Sequence, residues 1–176
     1  MSKQNLKHEI LQETWLDNTD YKDDFRLAMR GFAGTVTIIT ARAGSVRSGV
    51  TATSVISVSM DPPSLLVSIH FESRLAHSIR DSGLFCANVL TEQQEDYGQM
   101  FAGPIKGEAR FSGVDWQVDP DGLPYLESAQ SSMSCRVASE FQFGTHCMFA
   151  GEIIRVRRSD NVRPLIYLDG EYVSAL

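Results

Sequence analysis

The chain has 176 residues, with 16 basic and 22 acidic side chains and a net charge of −6. That length holds one domain with a sizeable core, and basic residues scattered everywhere except at Arg155, Arg157 and Arg158 exclude a nucleic-acid footprint while leaving room for a small anionic ligand. Cys86, Cys135 and Cys147 are widely spaced and form no C-x-x-C pair, so neither a disulfide framework nor a metal site is expected, and they read as buried thiols of a reducing, cytoplasmic compartment.

Leu6, Ile10, Leu11 and Trp15 recur at helical spacing over residues 4–16, which makes 1–22 an N-terminal arm or packing helix ahead of a domain over 23–176. The segment lacks the apolar core of a signal peptide, and no apolar run reaches the roughly 18 residues of a membrane span. A second helix is expected around Phe25, Ala28, Met29 and Phe32, entered through Asp23-Asp24 and left through Gly31 and Gly34, because acidic residues favour a helix start and glycines its end. The period then changes to two. Thr35 to Ala41, Gly49 to Ser59 and Ser64 to Phe71 read as consecutive strands separated by Gly-Ser and Asp-Pro-Pro turns, a meander and not a βαβ unit.

Residues 74–82 and 92–102 read as short helices flanking a strand from Leu84 to Leu90, with later strands at Ser134–Gln142, His146–Arg157 and Pro164–Leu168. Seven or so strands with three or four helices predict a mainly β fold, a closed or nearly closed β-barrel with flanking helices. The glycines nowhere form G-x-G-x-x-G, so any nicotinamide is not held on a Rossmann unit.

The segment from Gly49 to Pro63 is the most informative. It carries Thr51, Thr53, Ser54, Ser57 and Ser59, and neutral hydroxyls with backbone amides can hold a phosphate and a ribityl chain; such residues also suit an ordinary exposed strand. On a strand, Thr51 and Thr53 share one face while Ala52 and Ser54 share the other. Ser73 and Arg74 stand at a helix entry, where amides and a guanidinium suit a phosphate, although Ser73 equally reads as a plain N-cap and Arg74 as a solvated surface residue. His146 shares strand parity with Met148 and Ala150 and is expected to point to the apolar side as a packing or pocket-lip histidine. His8, His70 and His77 have no spaced carboxylates, so no metal is expected; no G-x-S-x-G elbow occurs either.

Several stretches in order resemble the FMN-binding split-barrel flavin reductases, the NAD(P)H-dependent reductase components of two-component flavin-dependent monooxygenases. They are Phe32 to Thr40, Gly49 to Pro63, Ser73-Arg74 before Leu84 to Leu90, Ala109-Arg110-Phe111 ahead of Gly113 to Trp116, Gly122 to Leu126, Gly144-Thr145-His146 before Phe149 to Ile153, and Pro164 to Tyr167 with Tyr172. Together they cover roughly residues 25–175. The resemblance implies a split β-barrel that binds FMN or FAD and uses NADH or NADPH. It further implies hydride transfer to the flavin, an oxygenase component that receives the reduced flavin, and a homodimer with the flavin near its interface. It places Thr35, Thr51, Ala52, Thr53, Ser54, Ser68, Ser73 and Arg74 at the flavin, and Arg110, Phe111 and His146 nearer the nicotinamide. Thr145 stands where the family often has Asp, and Leu75 where it commonly has Thr. The sequence leaves two other readings open. One is a flavin-binding electron carrier without nicotinamide turnover; the other is a split-barrel oxidase of the pyridoxamine phosphate type, which needs basic residues for a second phosphate.

Overall fold

The computed structural model describes residues 21–113 and 115–175, so the expected arm over 4–16 lies outside the described residues. The first element is helix α1 (Lys22–Met29), with Asp23 and Asp24 in its first turn. It forms where the charge pattern favours a helix N-terminus, but no residue of it is buried. Phe25 is 65% exposed and Phe32, just beyond it, 69%.

Strand β1 (Gly34–Thr35) leads into β2 (Thr37–Ala43), β3 (Val46–Ala52), β4 (Val55–Met60) and β5 (Pro63–His70). Helix α2 (Arg74–Ser82), strand β6 (Leu84–Val89) and helix α3 (Glu95–Ala102) follow. A 3₁₀ turn (Gly107–Phe111) precedes the short strands β7 (Trp116–Val118) and β8 (Pro124–Leu126). The long hairpin β9 (Ser131–Phe143) and β10 (His146–Arg158) comes next, then β11 (Leu165–Leu168) and β12 (Glu171–Ser174).

The main sheet is antiparallel in the order β3-β2-β6-β9-β10-β5-β4. Its two outermost strands are neighbours in the chain, joined only by Thr53-Ser54. The sheet therefore rolls until its edges meet at that link, and no ladder joins β3 to β4: this is a split barrel. The expected single strand from Gly49 to Ser59 is in fact two strands at opposite edges of the sheet. The small sheets β1-β11-β12 and β7-β8 pack outside.

Strand β2 has a core on each face. Ile39 and Ala41 pack inward with Leu65, Val67, Phe85 and Phe149, and Leu75, Ala76 and Ile79 of α2 close that core. Val36 and Ile38 instead belong to a second cluster with Leu90, Phe101, Phe111 and Leu126. Burial on both sides is why residues 36–41 read as an unbroken apolar and threonine run. Where polar groups enter this layer they are paired: Asn88 donates to Ile38 O at 3.0 Å and accepts from Leu126 N at 2.9 Å and Ser132 Oγ at 3.0 Å. Thr40 Oγ1 donates to Pro124 O at 2.6 Å. The network fastens the β7-β8 hairpin to the barrel, since a buried polar group without a partner is costly.

Candidate functional site

The hydroxyl-rich segment lies at the seam where the sheet edges meet, and its side chains divide between two faces. Thr51 Oγ1 donates to Gly98 O of α3 at 2.7 Å, so that hydroxyl faces the second core and is engaged in packing. A Cβ added at Gly34 would lie 2.8 Å from Thr53 Cβ, which puts Thr53 against Gly34 of β1. Val50 and Ala52 face the first core instead. Ser54 is tied to β5: its Oγ donates to Ser68 O at 3.0 Å and its carbonyl accepts from Ser68 N at 3.2 Å.

From Ser68 the chain runs five residues to the start of α2. There Ser73 Oγ accepts from Ala76 N at 3.1 Å, the N-cap geometry that orders a helix entry. His77 N bonds to Ser73 O at 3.2 Å. Helix geometry leaves the amides of Arg74 and Leu75 without an intrahelical acceptor. Both residues line a cavity of about 430 Å³ between β3, the start of α2 and the 106–110 segment. Arg74, Lys106 and Arg110 line it against one carboxylate, Glu72, with Val50 and Leu75 as apolar wall. Such a donor set suits a phosphate, and the apolar wall suits the body of a nucleotide.

The resemblance implies that Arg110 and Phe111 lie near the nicotinamide. The structure brings Arg110 to the cavity but engages it with backbone: Nη1 donates to Gly49 O at 2.8 Å, Nη2 to Gly103 O at 2.9 Å, and Nε to Ile105 O. Burial pushes its guanidinium below the usual value. Phe111 is 4% exposed and makes edge contacts with Phe101 and Trp116 at 5.2 and 5.0 Å between ring centres. Its place is in the second core.

His146 differs from expectation in its direction. In β10 the buried positions are Cys147, Phe149 and Gly151, so His146 with Met148 and Ala150 faces outward. The parity argument chose the wrong face because Met148 and Ala150 are apolar without being core. Its Nδ1 lies 3.0 Å from Thr145 Oγ1, and its ring meets His70 edge-on at 5.7 Å. Thr145 thus supplies a hydroxyl contact to the imidazole. The cross-strand rows Ser68–Met148–Phe141 and His70–His146–Phe143 place His146 on the same face as Ser68.

The basic cluster late in β10 is fully occupied: Arg155 pairs with Asp121, Arg157 with Glu127 at 2.5 Å, and Arg158 with Asp160 at 2.6 Å. It offers no unpaired cation for a second phosphate. A hollow of about 560 Å³ between α1 and the turn of β11–β12 is crossed by the Arg30–Asp169 pair at 2.6 Å and holds none of the expected ligand residues. Sequence reasoning missed Lys106 and Gly107, which stand in a loop without periodicity; a basic residue beside a glycine was the only available cue.

A family model described as "Flavin reductase like domain" matches residues 29–176. The chain is 39% identical over 154 residues to the reductase component of FADH(2)-dependent resorcinol hydroxylase from Rhizobium sp. (strain MTP-10005), covering 86% of each protein. It is 34% identical over 148 residues to FMN reductase (NADH) RutF of Pseudomonas syringae pv. syringae (strain B728a), covering 84% of this chain and 83% of that one. Among solved structures, the NADH:FAD oxidoreductase SgcE6 of Streptomyces globisporus C-1027, in complex with NAD and FAD fragments, superposes with a TM-score of 0.81 at 27% identity, over 89% of this chain and 95% of that one.

Proposed function

The chain belongs to the flavin reductase-like domain family, and we propose on that footing that it is an NAD(P)H:flavin oxidoreductase that supplies reduced FMN or FAD to a partner monooxygenase. The observation that carries this reading in the structure is the cationic cavity at the start of α2, adjoining the barrel seam. When bound, the flavin supplies the hydride acceptor and the nicotinamide the hydride donor. The chain's own work is to bind and orient them, which requires no general acid or nucleophile.

In this reading the free amides of Arg74 and Leu75, the Ser73 hydroxyl and the Arg74 and Lys106 cations hold the flavin phosphate. Ala52, Ser54 and Ser68 follow the ribityl chain along the seam, with Thr35 and Thr53 at its other lip. Thr51 and Phe111 support the site from the second core without touching ligand. His146, outward on the face of Ser68, borders the nicotinamide and orients it.

That same face carries Ile56, Phe141 and Phe143, which are 59%, 54% and 80% exposed. An apolar surface of this kind on a single chain marks an interaction site, and its occupant here is a second copy, so that two flavin sites lie beside one homodimer interface. The domain spans 23–176, and the three buried free thiols suit a reducing cytoplasm.

The test is steady-state oxidation of NADH and NADPH with FMN, FAD or riboflavin added in turn. Oxidation should appear only with a flavin present, and the product should be free reduced flavin that reacts with oxygen. Oxidation without flavin, or none with any flavin, rejects the reading. A tightly bound flavin with no nicotinamide turnover identifies an electron carrier instead.

A further inference from the structure

We propose that Arg110 is a positioning residue: it builds the anion end of the flavin pocket by clasping the 103–107 loop to the edge of β3. The proposal rests on reading the cavity at α2 as the flavin phosphate site. Arg110 joins two parts of the chain that no strand ladder connects. One hydrogen bond reaches Gly49 O on β3, while two reach Gly103 O and Ile105 O in the loop. β3 is an edge strand, and the clasp engages one of its outward carbonyls.

The loop so held carries Lys106 and Gly107 into the cavity wall. Gly107 has φ +68°, and a Cβ added there would stand 3.1 Å from Arg74 Nη1. The clasp therefore fixes two things at once, the Lys106 side of the pocket and the close approach of loop backbone to the Arg74 guanidinium. The guanidinium spreads its donors over three nitrogens in one fixed plane, and each nitrogen serves a different carbonyl; an ammonium also has three donors, but from a single nitrogen at the end of a flexible stem, and cannot span the same three acceptors. The Phe101 ring lies beneath it, 5.9 Å from Cζ to the ring centre, and the same ring packs so closely on Gly49 that an added Cβ would be 2.7 Å from Phe101 Cε1. The guanidinium is held from below as well as from its edges.

A clasp and a direct ligand contact predict different behaviour. As a direct charge contact, Arg110→Lys would keep most of the phosphate affinity. As a clasp, Arg110→Lys loses it, because the loop is released although the charge remains. Gly107→Ala produces the same loss without touching Arg110, through strain at a positive φ and displacement of Arg74.

The experiment titrates wild type, Arg110→Lys and Gly107→Ala with FMN and with riboflavin, which differ only in the phosphate. Wild type should prefer FMN, and both variants should lose about tenfold or more of that preference while riboflavin affinity changes little. Equal wild-type affinity for the two flavins removes the phosphate reading and the proposal with it. If wild type discriminates but Arg110→Lys keeps the preference, or loses both flavins alike, the clasp is rejected and the phosphate reading stands. Should Arg110→Lys fail to fold, Arg110→Gln decides in its place: a retained FMN preference overturns the proposal.

Discussion

Thr51 shows how a hydroxyl in a ligand-rich segment can belong to the scaffold. Its Oγ1 donates to Gly98 O at 2.7 Å, at a point where α3 lies against β3. Thr51→Val should therefore lower stability by about 0.5–1.5 kcal/mol, read as a shift of the urea midpoint at constant slope, with flavin affinity unaltered. A lost flavin affinity at full stability would return Thr51 to the ligand. Strand alternation set Thr51 apart from Ala52, because side-chain direction on a strand is local, whereas Thr53 and Ser54 lie in the link between two strands, where no alternation holds. What lay across from each face was not local. Arg110-Phe111 read as a ligand pair, yet one fastens a loop and the other fills a core, a division made by residues 103–105 and by Phe101 and Trp116. His146 was placed on the wrong face for the opposite reason: its apolar companions Met148 and Ala150 stand on an outward face, and single-chain hydropathy cannot tell a core from an uncovered apolar surface.

Among the elements, α2 depends on a polar staple as well as on its apolar face. Arg80 Nε donates to Glu140 Oε1 at 2.7 Å and Arg80 Nη1 to Phe71 O at 3.0 Å, while the buried Cys147 thiol donates to the same carboxylate at 3.0 Å. Burial pushes the Glu140 carboxyl up, but the thiol and the guanidinium together outweigh it and hold the group below its ordinary value. A carboxyl depressed in the folded state adds stability above its unfolded value, about 4.3, and that stability is lost as pH falls through the lower folded value. Arg80→Leu removes one of the two partners that hold the Glu140 carboxyl down, so the carboxyl moves back up and the stability it adds above its unfolded value shrinks. Urea unfolding should show the variant's deficit to be largest above about pH 5 and narrower at pH 4. A deficit that stays constant with pH would confine Arg80 to packing. Most elements were legible from period and punctuation: α2, β5, β6 and the β9–β10 hairpin stand close to where alternation and Gly or Pro put them. The break inside Gly49–Ser59 was not, because Thr53-Ser54 carries the same residue types as the strands it separates. The three-residue strands β7 and β8 are too short for a period, and they hold position through Asn88 and Thr40, far away in sequence.

At the scale of the molecule, the outward row of Ile56, Phe141 and Phe143 is the surface on which the proposed homodimer is tested. Ile56 pairs with Leu66 on β5 and is 59% exposed, so an aspartate there costs a single chain little but cannot be buried unpaired in an interface. Ile56→Asp should convert a dimer to a monomer by light scattering and remove the concentration dependence of the melting temperature; a wild-type monomer, or a dimer indifferent to the change, places the interface elsewhere. The family, the rolled sheet and the flavin were all expected from ordered stretches of sequence, whereas the seam itself follows only from strand order. Because β3 and β4 end the ladder, their outward amides have no strand partner, and they are ready to exchange hydrogen with solvent without any global opening. Amides of β2, β6 and β9, bonded on both sides, should exchange only with far larger openings. Flavin lying along the seam should then slow deuterium uptake at the β3 edge and the first turn of α2 while leaving the interior strands at their own slow rate, so that the barrel's unfinished side becomes the part of the molecule whose exchange clock the ligand sets.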